Sequence, residues 1–321
     1  MRKIVTSLLA VAVLAPAGLA GPLKIERIAA AAKWAAHLDA EALLQSGIGR
    51  FLLSEAEKKA DFLDGIATIR EVFGFDPLRD VRGITLYGKV YADQQVVVIA
   101  DATVDQDKLA GLLTGNPGYR GHEYGDRTLH QWTDKAKGDK PARTQFGCFY
   151  DKSTVMIAST LDLLKGAVDV LDGESKSLAQ SDALPFLQKP PAGAILVAAG
   201  EQIKLPAEGD EPRVAVIRDL TDLALQVGEA DGVMFLNVTA GTKTARRALQ
   251  LRQIVQGFVA MGQMMLQERE DIPPLNEKIE ITGEGTVAKL SATVPTESLI
   301  RMIKFLAAEA AKKKAAGGGD F

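Results

Sequence analysis

Apolar, β-prone runs come in pairs along this chain, and a helical pattern follows each pair. Residues 81–90 and 95–102 flank a tight turn at Tyr91-Ala92-Asp93-Gln94, and "TQFGCFYDKSTVMIAS" turns on itself across Asp151-Lys152. Residues 223–227 and 233–238 turn between Gly228 and Gly232, and residues 278–281 and 288–294 turn through Gly283-Glu284-Gly285. Such pairs close antiparallel ladders locally, and a helix leaving the second strand has to lie back on the sheet to bury its stripe. One corner of this kind is written twice, as "ATVDQDKL" from Ala102 and as "ATVPTESL" from Ala292.

The remaining elements complete a plan that each half follows. A short strand at 34–38 and a helix at 54–73 precede the first hairpin, with Ser54 and Glu57 spaced as a capping box. Helices are expected at 105–113 and 160–171, and a looser strand region at 127–132. After the proline-rich joint "LQKPPAG" come a strand at 194–199, a short helix at 212–220, a long helix at 244–269, and a last helix from Pro295 to 311. Each half therefore reads strand, helix, hairpin, helix, hairpin, helix. The expected fold is α+β: two similar domains, 21–188 and 192–311, each an antiparallel sheet with helices on one face. The class is ferredoxin-like or a related split β-α-β arrangement, derived by internal duplication. Residues 312–321, with Lys312-Lys313-Lys314, are expected to form a flexible tail.

The first twenty residues have the layout of a secretory signal peptide: Arg2 and Lys3, an apolar run from Ile4 to Leu14, then small residues. The run is shorter than the roughly 20 apolar residues that cross a bilayer, so no transmembrane span is expected once it is removed. Cleavage after Ala20 or after Ala17 fits, and the mature protein is expected to be exported, periplasmic or secreted. Losing Arg2 and Lys3 would take the net charge from −3 to −5, which gives no electrostatic case for nucleic acid or an anionic surface. The single Cys148 can make no internal disulfide and sits in an apolar run, as a small core residue would.

Few residues suggest chemistry. The densest polar stretch, "GHEYGDRTLHQWTDK", holds His122, Glu123, Tyr124, Asp126, His130 and Asp134, with Trp132 among them. His122, Glu123, His130 and Trp132 are the candidate binding residues, and Asp126 or Glu123 would supply the carboxylates of an enzyme working at an inter-domain cleft. The H-x7-H spacing is not that of a helical or tight-turn ligand pair, so no metal and no cofactor are expected. His37 reads as a sheet-surface residue. No G-x-S-x-G, H-E-x-x-H or Ser-x-x-Lys pattern is present, so no catalytic residues are assigned. On the long helix, Ala245, Ala248, Val255, Phe258, Val259, Gly262, Met265 and Leu266 recur at three- and four-residue spacing as a core stripe; Met261, Met264 and Met265 are the alternative, an adaptable partner surface.

The stretch "EVFGFDPLRDVRGITLYGK", with "AKWAAHLDAEALLQS" before it, resembles a group of exported bacterial proteins known only as a domain of unknown function. The resemblance implies an exported, duplicated protein and supplies no catalytic residues; Asp76, Pro77 and Asp80 match its G-x-D-P-x-x-D-V link and read as turn and cap chemistry. The expected function is a non-enzymatic one, exerted through surfaces that bind a protein or an envelope component. The alternatives are the hydrolase-type enzyme above and a carrier of an apolar ligand held between sheet and helices.

Overall fold

The computed structural model describes residues 21–92, 95–134, 142–203, 219–267 and 272–315. The protein is α+β, its strands all antiparallel to their neighbours, and it divides into two compact units, residues 1–201 and 202–321.

In the first unit, β1 (Trp34–Asp39) leads through α1 (Ala40–Gln45), α2 (Gly47–Ala56), α3 (Ala60–Phe73) and α4 (Pro77–Asp80) to the hairpin β2 (Val81–Gly88) and β3 (Val97–Ala102). Next come α5 (Gln106–Thr114), β4 (Arg120–Tyr124), β5 (Arg127–Asp134), β6 (Arg143–Asp151), β7 (Thr154–Ala158), α6 (Leu161–Leu171) and β8 (Ala194–Glu201). The strands lie in the order β8-β1-β2-β3-β7-β6-β5-β4. The second unit holds β9 (Leu220–Ala230), β10 (Val233–Thr242), α7 (Ala245–Gln267), β11 (Lys278–Thr282), β12 (Val287–Pro295) and α8 (Thr296–Ala315), with strand order β9-β10-β12-β11.

The two units share a wiring. In each, the second strand of one hairpin (β3, β10) runs parallel to the first strand of a later one (β6, β11), and that later hairpin's second strand (β7, β12) pairs antiparallel between them. That is a split β-α-β unit. The full ferredoxin-like order is absent, because the strand beside β3 or β10 precedes it in the hairpin rather than following the final helix. The two written corners occupy different places in this plan: "ATVDQDKL" leaves the strand that opens the crossover, β3, and "ATVPTESL" leaves the inserted one, β12.

Local chemistry sets the corners. Asp105 caps α5 by accepting from the Lys108 N–H (3.0 Å), and Thr160 caps α6 from the Leu163 N–H (3.3 Å). Gly74 ends α3 at φ 76°, where a side chain would be strained. Asp76 then accepts from the Leu78 N–H (2.9 Å), Asp80 from the Asp76 N–H (2.7 Å), and Pro77 takes the first helical position.

Several expectations change. The helix expected at 54–73 is two helices, broken where Lys59 turns extended; Ser54 lies inside α2 and its hydroxyl donates to the Phe51 carbonyl, so it caps nothing. The division falls after Glu201 and not at 189–193, because β8 pairs with β1 along Trp34↔Gly200 to Leu38↔Leu196. Strand β4 is additional to the plan; Arg120, Gly121 and Glu123 are exposed, only His122 and Tyr124 are half-buried, and it carries no apolar alternation to announce it. The final helix runs on through Lys312-Lys313-Lys314 to Ala315, past the expected end at 311. The expected helix at 212–220 falls outside the described residues up to 218, with Leu220 already in β9, and the expected leader at 1–20 and residues 316–321 also lie outside them.

The cores differ. In the first unit Ile28, Ile99, Leu129, Met156, Leu164, Leu178 and Val197 are each at most 2% exposed. In the second, register places Leu225, Val227, Leu236, Val238, Leu290 and Ile281 on one sheet face, and all six are only half-buried. The fully buried residues of that face are Ala240 and Ala288.

Candidate functional site

The polar stretch of the first unit does not converge. His122 and His130 sit on opposite faces of the sheet, since His122 pairs with Leu129 while His130 pairs with Gly121. His122 Nε2 meets Gln131 Oε1 at 2.8 Å, and Glu123 accepts from the Thr128 hydroxyl at 3.3 Å. His130 is buried, with Nδ1 3.1 Å from the Tyr119 hydroxyl and the ring edge-on to Phe149 at 5.4 Å; burial holds its pKa below the ordinary value, against a raising influence from Glu123. Trp132 packs over Gly147, where an added Cβ would meet the indole at 3.0 Å. Asp126 is in the exposed turn, paired with Arg127 at 2.9 Å. Each of these groups is committed to a neighbour, and Asp126 and Glu123 do not face one another as an acid and base would. Among the described residues, no cluster of three or more His, Cys, Asp or Glu could hold a metal ion.

Cys148 is buried, and burial pushes its thiol up to about 11, so it is a packed side chain and not a nucleophile at neutral pH. His37 is a correction: it is 3% exposed, not a surface residue. Its Nε2 donates to the Gly21 carbonyl at 2.8 Å, which leaves Nδ1 to accept from the Thr85 hydroxyl at 2.9 Å.

Four large exposed apolar side chains gather on α7. Asp219 anchors the helix's first turn by pairing with Lys243 (2.8 Å) and Arg247 (2.7 Å), and Arg252 donates to the Val287 carbonyl at 2.8 Å, which ties the middle to β12. Ala248, Val255, Val259 and Leu266 form the inward stripe. Phe258, Met261, Met264 and Met265 are instead 52%, 48%, 56% and 60% exposed. Phe258 and Met265 thus leave the core stripe expected from sequence and join the methionine surface that was the alternative. From Gln253 to Gln267 the helix has no charged residue, a signal readable in the sequence and not used there. The charges of α7 are Arg246, Arg247 and Arg252, with no carboxylate over the whole helix. No described helix is long and apolar enough to cross a membrane.

No protein-family model matches this sequence, and no curated protein does. Among solved structures, crystal form III of TP0453 matches with TM-score 0.47 at 8% identity, over 87% of this chain and 96% of that one. Crystal form IV matches at TM-score 0.42 and 8% identity, covering 89% and 97%, and crystal form I at 0.41 and 9%, covering 88% and 97%.

Proposed function

We propose that this is an exported binding protein, with no chemical step of its own, whose second unit docks an amphiphilic component of the envelope through α7. The reading is carried by the exposed Phe258-Met261-Met264-Met265 face. Four large apolar side chains beside one another on one helix are costly to leave in water, at about 25 cal/mol per Å² of apolar surface. Methionine suits a fluid, irregular partner such as acyl chains, and a helix with an apolar face and only cationic charges suits the interface of an anionic bilayer. The mild negative charge of the whole chain hides this local excess. The shared split β-α-β wiring supports descent of both halves from one duplicated unit, and residues 1–20 support export.

The test is flotation with vesicles. The mature chain should float with vesicles of phosphatidylglycerol and phosphatidylcholine, and weakly with phosphatidylcholine alone. Met261→Glu combined with Met265→Glu should cut bound protein at least tenfold while the far-UV circular dichroism stays unchanged. A wild-type protein that stays at the bottom of both gradients would sink the reading. The half-buried sheet face of the second unit favours a second reading, an apolar ligand held between that face and the helices. Under it, native mass spectrometry would find a co-purified lipid that survives the double substitution.

A further inference from the structure

The His, Cys and carboxylate groups of the described residues do not gather, but three thioethers do. Met261, Met264 and Met265 are three of the seven methionines in the chain and fall within little more than one turn of α7. Residues three and four apart on a helix are neighbours, with Cβ atoms about 5–6 Å apart, so Met261 adjoins both of the others. Met264 and Met265 stand about 100° apart around the axis, and long helical side chains lean back toward the N-terminus, over the turn that carries Met261. The three make a triangle of flexible arms that can bring their sulfurs to one point. Core filling does not explain them: Met156 is fully buried and Met302 is 7% exposed, whereas these three are exposed. A Cβ on Gly262, inside the triangle, would meet nothing within 4 Å, so the space there is open. From Gln253 to Gln267 the helix carries no carboxylate, imidazole or thiol, which leaves sulfur of the thioether kind as the one strong ligand type along it. The backbone beneath is tied down, by Arg252 to the Val287 carbonyl (2.8 Å) and by Gln263 Nε2 to Glu277 Oε1 (3.4 Å).

We propose that Met261, Met264 and Met265 form a three-coordinate site for a soft monovalent cation, cuprous copper. Thioether sulfur selects Cu(I) over magnesium, calcium and manganese, which take oxygen ligands, and over Zn(II), which takes thiolate, imidazole and carboxylate. Three neutral sulfurs suit the trigonal coordination that Cu(I) accepts. They leave its positive charge uncancelled on an exposed face, from which another ligand can take it by exchange. A thioether has no proton to lose before it binds, so acid does not compete with the metal as it does at histidine or cysteine. The site goes beyond vesicle docking and does not depend on it. Docking uses the apolar area of this face, whereas the ion uses its sulfur.

Leucine in place of methionine separates the two, because it keeps the apolar area and removes the ligand. Under nitrogen with ascorbate, the purified chain should withdraw a single equivalent of Cu(I) from its coloured bicinchoninate complex. Ag(I), which has the same preferences without the redox chemistry, should displace it, and excess Zn(II) should not. Met264→Leu should weaken retention at least tenfold, and Met261→Leu, Met264→Leu and Met265→Leu together should abolish it. In protein labelled with carbon-13 at the methionine methyls, Ag(I) should shift the three resonances missing from the triple variant and leave those of Met156 and Met302 in place. Retention should be equal at pH 7 and pH 5.5. Copper kept by the triple variant, or released by the wild type at pH 5.5, would assign the ion to other side chains and overturn the site, as would no retention at all. Flotation of the triple variant with vesicles reports on docking alone, so either reading can fail without the other.

Discussion

Lowering the pH from 6.5 to 4 should cost the first unit about 3 kcal/mol through His37 alone, following about 1.36 kcal/mol per pKa unit. Burial lowers the His37 pKa from 6.5 to about 4, against smaller raising influences from the Gly21 carbonyl and Asp101. The unfolded chain takes up a proton below pH 6.5 while the folded chain refuses it until about pH 4. The stability is therefore complete above pH 6.5, falls through the window, and is fully lost below pH 4. A charged imidazole would also put a proton on Nδ1, where the ring must accept from Thr85. The charges that act on it are Asp101 on β3, which raises its pKa, and Lys24 before β1, which lowers it. Asp39 opposes the trend, since its raised pKa makes the folded state hold a proton more tightly as the pH falls. Urea unfolding at pH 7, 5.5 and 4, followed by Trp34 and Trp132, should give a steep loss in the wild type and a shallow one in His37→Gln. Parallel pH profiles would rule His37 out as the cause.

That histidine marks where sequence reasoning stops. Its strand was legible, but its burial depends on Gly21 and Thr85, which local pattern cannot bring near. The hairpins and corners were legible because each is settled within a few residues: two β-prone runs, a turn, a cap such as Asp105 or Thr160. Strand β8 was seen as a strand and assigned to the wrong unit, since nothing in its sequence states that it pairs with β1. The long helix shows a third limit. Its apolar positions spread over a wider arc than one sheet can cover, and periodicity alone does not say which part is inward. The structure turns Ala248, Val255, Val259 and Leu266 to the sheet and leaves Phe258 and Met265 outside. The absence of charge after Arg252 was the available clue, because a helix end facing plain solvent usually carries some.

The difference between the two cores gives the other large effect. Leu164→Ala, on α6 against β3, β6 and β7, removes a side chain with no exposure in a closed interior and should destabilise the first unit by about 3–4 kcal/mol. Leu236→Ala removes the same atoms from a face whose large residues are all half-buried, and should cost about 1 kcal/mol, since much of that surface already meets water. Both tryptophans lie in the first unit, so their fluorescence reports the Leu164 variant, while hydrogen exchange of β10 amides reports the Leu236 one. Equal costs would mean that the second unit's interior is as dry as the first's and would remove the case for a ligand there. If instead lipid vesicles raise the cost of Leu236→Ala and leave that of Leu164→Ala unchanged, the open face of the second unit closes on what it binds. The exposed helix and the half-filled sheet face would then be two sides of one site.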